Sequence, residues 1–236
     1  MTNKPKIIMI GRHGKAPQKP EGGSFDTLLP EAVPELYKQG IHLQEYGFQP
    51  ADASLRHTSS KRTRMSGEAV LAGIFGYTQP ETVEDIAQSD LTDVQTIEDT
   101  RLNLRKPVHS NMAVYKAQGA GPQVDFGIQN PNVDMYEGEP IMPYATLRAD
   151  TRASIMDAVQ DPRDLGLMVT HASMTEPSLI TLVNSGRSTP VERIADVGGT
   201  FGMAEFAELK IEEDGGIYKA TLHYKDQDFK VDLDNI

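Results

Sequence analysis

Two apolar runs, far apart in the chain, each end in a histidine, and this repeated design constrains the fold more than any other feature. Lys6-Ile7-Ile8-Met9-Ile10-Gly11 reads as a short buried strand, with Arg12-His13-Gly14 directly after it. Leu165-Gly166-Leu167-Met168-Val169-Thr170 repeats the pattern and ends in His171. In an open α/β sheet, ligands sit beyond the carboxyl ends of the strands. Parallel placement of the two strands would bring both histidines to one edge. Between them lies Thr58-Ser59-Ser60-Lys61-Arg62-Thr63-Arg64-Met65-Ser66-Gly67-Glu68, a hydroxyl- and arginine-rich opening to a helix. Together the three stretches point to a pocket for a phosphate.

The charge balance narrows the partners. A net charge of −11 argues against a general nucleic-acid binder, which needs a basic face. Within this acidic chain Arg56, Lys61, Arg62 and Arg64 form a local basic cluster, either a solvated helix face or a focused positive pocket for a small anion. No apolar run approaches the roughly 18–20 residues that span a bilayer. The N-terminal apolar run is too short for a signal peptide, so no membrane partner and a cytoplasmic location are expected. The absence of cysteine excludes disulfides, thiolate chemistry and cysteine metal sites.

Length and periodicity predict one domain over residues 1–236, with a sizeable core. Residues 15–29 read as a loop, and a helix should open near Pro30 or Pro34 and end near Gly47. A short second strand is expected over 51–55, a helix from about Ser60 to Phe75, and a third strand over Glu81–Ile86. Residues 95–140 are the least patterned part of the chain, and so long an irregular segment is usually functional or disordered. A helix from Tyr144 to Val159 should stop at Asp161-Pro162, and another should run from Thr175 to Asn184 until Gly186. Strands are expected over 201–211 and 217–224, and residues 229–233 read as an edge strand or a tail.

Arg12-His13-Gly14 after a strand resembles the signature of the histidine phosphatase superfamily, the phosphoglycerate-mutase-like proteins. The stretch from Thr58 to Glu68 is similar to that family's Ser-Pro-x-x-Arg-Ala-x-x-Thr-Ala-Glu, with Arg62 on the arginine. Val169-Thr170-His171 matches the second histidine, with Ala172-Ser173 in place of the usual Gly-Gly, and Gly138-Glu139-Pro140 is similar to Gly-Glu-Ser. The matches come in family order over residues 6 to 185. The resemblance implies a three-layer α/β fold, with a mostly parallel central sheet and helices on both faces. It also implies that residues 95–140 are a lid over the pocket.

The chemistry implied is hydrolysis of a small phosphomonoester through phosphohistidine. Phosphoryl transfer needs a nucleophile, positive donors around the equatorial oxygens and an acid for the leaving oxygen. His13 would be the nucleophile, Arg12 and Arg62 would offer planar donor forks, and His171 would stabilise the transferring group. Gly14, Lys15, Ser59 and Glu139 are candidate substrate contacts, Gly14 because it permits close backbone approach. The family places a glutamate in a Leu-x-Glu setting after the third strand. Leu91-Thr92-Asp93 occupies a similar place, making Asp93 the first candidate acid, Glu139 the second and Glu98 the third. His42, His57, His109 and His223 have no such support and read as surface or local structural residues.

No metal-ligand motif and no Gly-x-x-x-x-Gly-Lys loop occurs, so no cofactor and no metal are expected. Two other functions stay open. One is a catalytically weak or idle phosphate-binding regulatory module, motivated by the non-standard acid. The other is a phosphoglycerate-type mutase, which would return the phosphoryl group to substrate. The sequence does not decide substrate identity or oligomeric state.

Overall fold

The computed structural model describes residues 4–17, 26–87, 89–103, 121–136, 138–172, 174–215 and 217–236. A seven-stranded sheet runs through the middle, built from β1 (Lys6–Arg12), β2 (Ala53–His57), β3 (Gln95–Glu98), β6 (Leu165–Thr170), β7 (Phe206–Asp214), β8 (Ile217–Tyr224) and β9 (Gln227–Val231). The short strands β4 (Met135–Tyr136) and β5 (Glu139–Pro140) pair separately. The order in the large sheet is β3-β2-β6-β1-β7-β8-β9. The first four strands are mutually parallel, and β7, β8 and β9 continue the sheet antiparallel.

Helices cover both faces, and strand alternation explains why. Ile7 and Met9 of β1 point into a core closed by α1 (Ala32–Gly40) and α2 (Lys61–Ile74), alongside Leu36, Leu55, Val70 and Leu167. Ile8 and Ile10 point the other way, into a core closed by α5 (Tyr144–Gln160) and α6 (Thr175–Ser185), with Ile155, Met168 and Leu179. Strands buried on both faces read as continuous apolar runs, as β1 and β6 do. The three-layer α/β architecture is thus present, with a sheet parallel in one half and antiparallel in the other.

Helices α1 and α2 pack through glycines. A Cβ on Gly73 would lie 2.0 Å from the Tyr37 carbonyl oxygen, and one on Gly40 would lie 2.3 Å from that of Val70. Beyond α1 a 3-10 turn (Ile41–Tyr46) carries the chain to Gly47, whose φ of 61° ends it near the expected stop.

The third strand differs from expectation. Residues 81–86 hold a single helical turn, α3 (Val83–Ile86), and the strand is Gln95–Glu98. Val83 and Ile86 have the helical i, i+3 spacing, and Thr82 caps the turn by accepting from the Asp85 N–H. Strand β3 sits at the sheet edge with mostly exposed side chains, so Gln95-Thr96-Ile97-Glu98 carries little apolar signal. The strand expected from Phe201 begins only at Phe206, residues before it forming a loop, while the C-terminal segment is the edge strand β9. Within 95–140, β3 joins the central sheet, α4 (Gly121–Gln129) packs on residues 194–197, and 104–120 lie outside the described residues.

Candidate active site

Strands β2, β6 and β1 are neighbours, and each delivers polar residues at its carboxyl end: His57 and Thr58, His171, and Arg12 and His13. His13 and His171 are both buried, and their rings meet edge to face with centroids 5.0 Å apart and planes at 72°. The two strand-end histidines therefore converge as expected.

The tautomer of His13 follows from its contacts. Its Nδ1 lies 2.6 Å from the Gly14 carbonyl oxygen, which can only accept, so Nδ1 carries the proton and Nε2 keeps its lone pair in the neutral ring. Burial is the largest influence on this imidazole, followed by the Arg62 charge, and both disfavour protonation. The Gly14 carbonyl opposes them and Arg12 adds to them, leaving the pKa lowered to about 4.

His171 has the opposite arrangement. Arg62 Nη2, a pure donor, lies 3.4 Å from Nδ1, and Thr58 Oγ1 lies 3.3 Å from Nε2. Nδ1 therefore accepts, and Nε2–H donates to Thr58. The Thr58 hydroxyl in turn lies 2.9 Å from Thr63 Oγ1, which donates to the Ser60 carbonyl at 2.7 Å. A chain of hydroxyls thus orients the second histidine.

Other contacts hold the opening of α2. The Ser66 hydroxyl accepts from the Gly14 N–H at 3.1 Å and donates to the Arg62 carbonyl at 2.7 Å, tying β1 to the helix. Asp26 accepts from the Ser60 hydroxyl at 2.5 Å and lies 3.5 Å from the Arg62 backbone nitrogen. Burial would raise the Asp26 pKa, but the Ser60 hydroxyl, the Lys61 and Arg62 N–H groups and the Arg62 charge together lower it. Burial is also the largest influence on the Arg62 guanidinium; Arg12 acts in the same direction, Asp26 opposes both, and the pKa is lowered.

Of the four clustered basic residues, only Arg62 reaches the histidines. Arg56 is buried on the α5 side of the sheet, within 4.0 Å of Asp99, Asp157 and Asp161. Arg64 pairs with Glu68 along the surface of α2, and Lys61 is exposed. Arg12 donates from Nη1 to the Phe201 carbonyl at 3.1 Å.

The remaining expected residues scatter. Gly14 makes its close approach to α1, where an added Cβ would lie 2.9 Å from Leu36 Cδ1 and 3.0 Å from Ala32 Cβ. Lys15 is exposed, 3.9 Å from Glu35. The Ser59 N–H and hydroxyl both donate to Asn103 Oδ1, at 2.8 and 3.2 Å. Asp93 lies before the amino end of β3, near enough to Tyr77 to help burial and Asp90 raise that phenol's pKa. The parallel pairing of β2 and β3 makes that the end opposite the histidines. Glu98 stands at the carboxyl end of β3, opposite His57 in the register, with its side chain exposed. Glu139 lies in β5, and its side chain is outside the described residues.

Thr58, Ser66 and Asp26 were not singled out from the sequence. Thr58 opens the arginine motif and Ser66 follows Arg62 by one helical turn, so spacing offered a signal for both. Asp26, in a loop, had none. His57 is buried, its Nδ1–H donating to the Thr58 carbonyl at 2.6 Å, while His42 and His223 are exposed partners of Glu208 and Asp228. His109 lies outside the described residues. Among the described residues, no group of three or more histidine or carboxylate side chains is placed to hold a metal ion.

No protein-family model matches the sequence, and no curated protein does. Solved structures do match over nearly the whole chain. A mycobacterial glucosyl-3-phosphoglycerate phosphatase in complex with VO3 has a TM-score of 0.53 at 14% identity, covering 93% of this chain and 98% of its own. A structure described as mycobacterial hydrolase 2 has a TM-score of 0.53 at 14% identity, covering 98% and 94%. YhfR of Bacillus stearothermophilus has a TM-score of 0.51 at 17% identity, covering 90% and 93%. The chain therefore has the fold of these structures, the phosphoglycerate-mutase-like α/β fold.

Proposed function

We propose that the protein is a phosphomonoesterase whose His13 accepts the phosphoryl group and passes it to water. The observation that carries this reading is the state of His13: buried, held neutral, and fixed by the Gly14 carbonyl so that Nε2 keeps its lone pair. Nε2 attacks phosphorus as the bond to the ester oxygen breaks, and that oxygen takes a proton from an acid. Water then attacks the phosphohistidine and gives a proton back to the same group. Inorganic phosphate leaves and His13 is neutral again. Arg12 and Arg62 supply positive donors to the phosphate oxygens, and His171 stands beside the reacting ring.

Of the three candidate acids we assign the proton to Glu98, which shares the carboxyl end of the sheet with the histidines, whereas Asp93 lies at the other end. Substrate is a small phosphoester, a class that includes the substrate named for the mycobacterial phosphatase above. No helix among the described residues is long and apolar enough to cross a membrane.

Hydrolysis of an activated aryl phosphate by wild type and His13→Ala tests the reading. An early burst in wild type, absent from the variant and accompanied by acid-labile protein-bound phosphate, is the expected result. The position of Asp93 favours a second reading, a catalytically weak or idle phosphate-binding module. Bound phosphate with no turnover at any pH would select it and reject the phosphatase.

A further inference from the structure

Among the described residues Glu176 is the only carboxyl side chain with no exposed surface, and the mechanism above does not use it. Burying such a group is costly unless its oxygens are matched by donors. A carboxylate in the first turn of α6 suits the helix dipole, but an exposed one would serve as well, so the dipole does not explain the burial.

The contacts do. Oε2 accepts from the Thr175 hydroxyl at 3.0 Å, and Oε1 accepts from the Phe201 N–H at 3.2 Å. The carbonyl of the same Phe201 accepts from Arg12 Nη1 at 3.1 Å. Phe201 is itself confined, 2% exposed and stacked on Tyr224 with centroids 4.5 Å apart. Its loop also meets the strand end: Ala204 N–H donates to the His13 carbonyl and Arg12 N–H to that of Glu205. From the other side Lys225 Nζ donates to the Gly198 and Thr200 carbonyls.

We propose that Glu176 is a positioning residue for Arg12: it holds the Phe201 backbone, and the Phe201 carbonyl sets the direction of the guanidinium. This rests on the reading that Arg12 binds phosphate. An arginine presents a planar fork whose orientation governs its grip on an oxyanion. Loss of the Glu176 anchor should therefore weaken oxyanion binding only while Arg12 is present.

A double-mutant cycle on Glu176→Met and Arg12→Ala, with vanadate and inorganic phosphate affinity measured by calorimetry, tests this. Glu176→Met should weaken vanadate binding about tenfold, and Arg12→Ala more, consistent with loss of a charge-assisted bond. The double variant should bind like Arg12→Ala alone. Glu176→Gln, which keeps an acceptor for Phe201, should retain wild-type affinity. If the methionine variant does not fold, Glu176→Asp, one methylene shorter, takes its place in the same cycle. Additive losses, or unchanged affinity in Glu176→Met (or in Glu176→Asp where it stands in), would overturn the proposal and leave the phosphatase reading intact. A wild type that binds neither anion and turns over no ester would sink both.

Discussion

His13 and His171 stand edge to face, 5.0 Å between ring centroids, with the Arg62 guanidinium against Nδ1 of His171. Burial first, and then the charges of Arg62 and Arg12, disfavour a proton on His13. That environment keeps the His13 lone pair available, and it makes the site sensitive to proton concentration.

The acid limb of kcat/KM should have its midpoint near pH 4, where His13 protonates. Removing the Arg62 charge by Arg62→Met should raise the His13 pKa, read directly by NMR titration of the ring. Stability should carry the same signature. Below about pH 6.5 the unfolded chain takes up a proton at His13 that the folded protein resists until about pH 4. Stability therefore falls as pH drops through that window, by at most about 3 kcal/mol from this residue. Denaturant melts of wild type and His13→Asn between pH 4 and 7 would show the difference, or refute it by running parallel.

Thr58→Val should release the Nε2 side of His171 and leave the Ser60 N–H, which lies 3.2 Å from Thr58 Oγ1, without that acceptor. Turnover should fall about tenfold or more, with about 1–3 kcal/mol lost in stability. Thr58→Ser, which keeps the hydroxyl, should recover most of both. Near-wild-type behaviour of Thr58→Val, with the loss confined to Thr58→Ser, would show that the methyl group, not the hydroxyl, matters.

The two described acid candidates separate by leaving group. Glu98→Gln should slow hydrolysis of alkyl phosphates by about 10²–10⁴-fold while sparing activated aryl phosphates, whose leaving oxygen needs no proton. Asp93→Asn, altered at the far end of β3, should change neither rate. The reverse pattern would return the assignment to Asp93.

Gly73→Ala should destabilise the fold by roughly 1–3 kcal/mol or more, because its Cβ would meet backbone that has no easy way to retreat. Thermal unfolding measures this. Gly215→Ala is a useful contrast: its φ of 61° adds strain, but an added Cβ would meet nothing within 4 Å.

The sequence by itself determined the parts that local rules govern. Apolar runs specified β1 and β6, helical spacing specified α1, α2, α5 and α6, and each histidine's place at a strand end followed from where its run stopped. Only the tertiary structure decided which polar residues share the pocket. Arg56 and Arg62 look alike in one basic stretch, yet strand alternation sends Arg56 to Asp99 and Asp161 while the start of α2 sends Arg62 to His171. Asp93 and Glu98 are five positions apart, and the direction of β3 puts them at opposite ends of the sheet. Thr58, Asp26 and Glu176 act through partners distant in sequence, so no short window of residues displays their roles. Periodicity records which face a residue occupies. It carries no record of which strand end or loop it will meet, because those meetings depend on strand order and polarity, set by packing across the whole sheet.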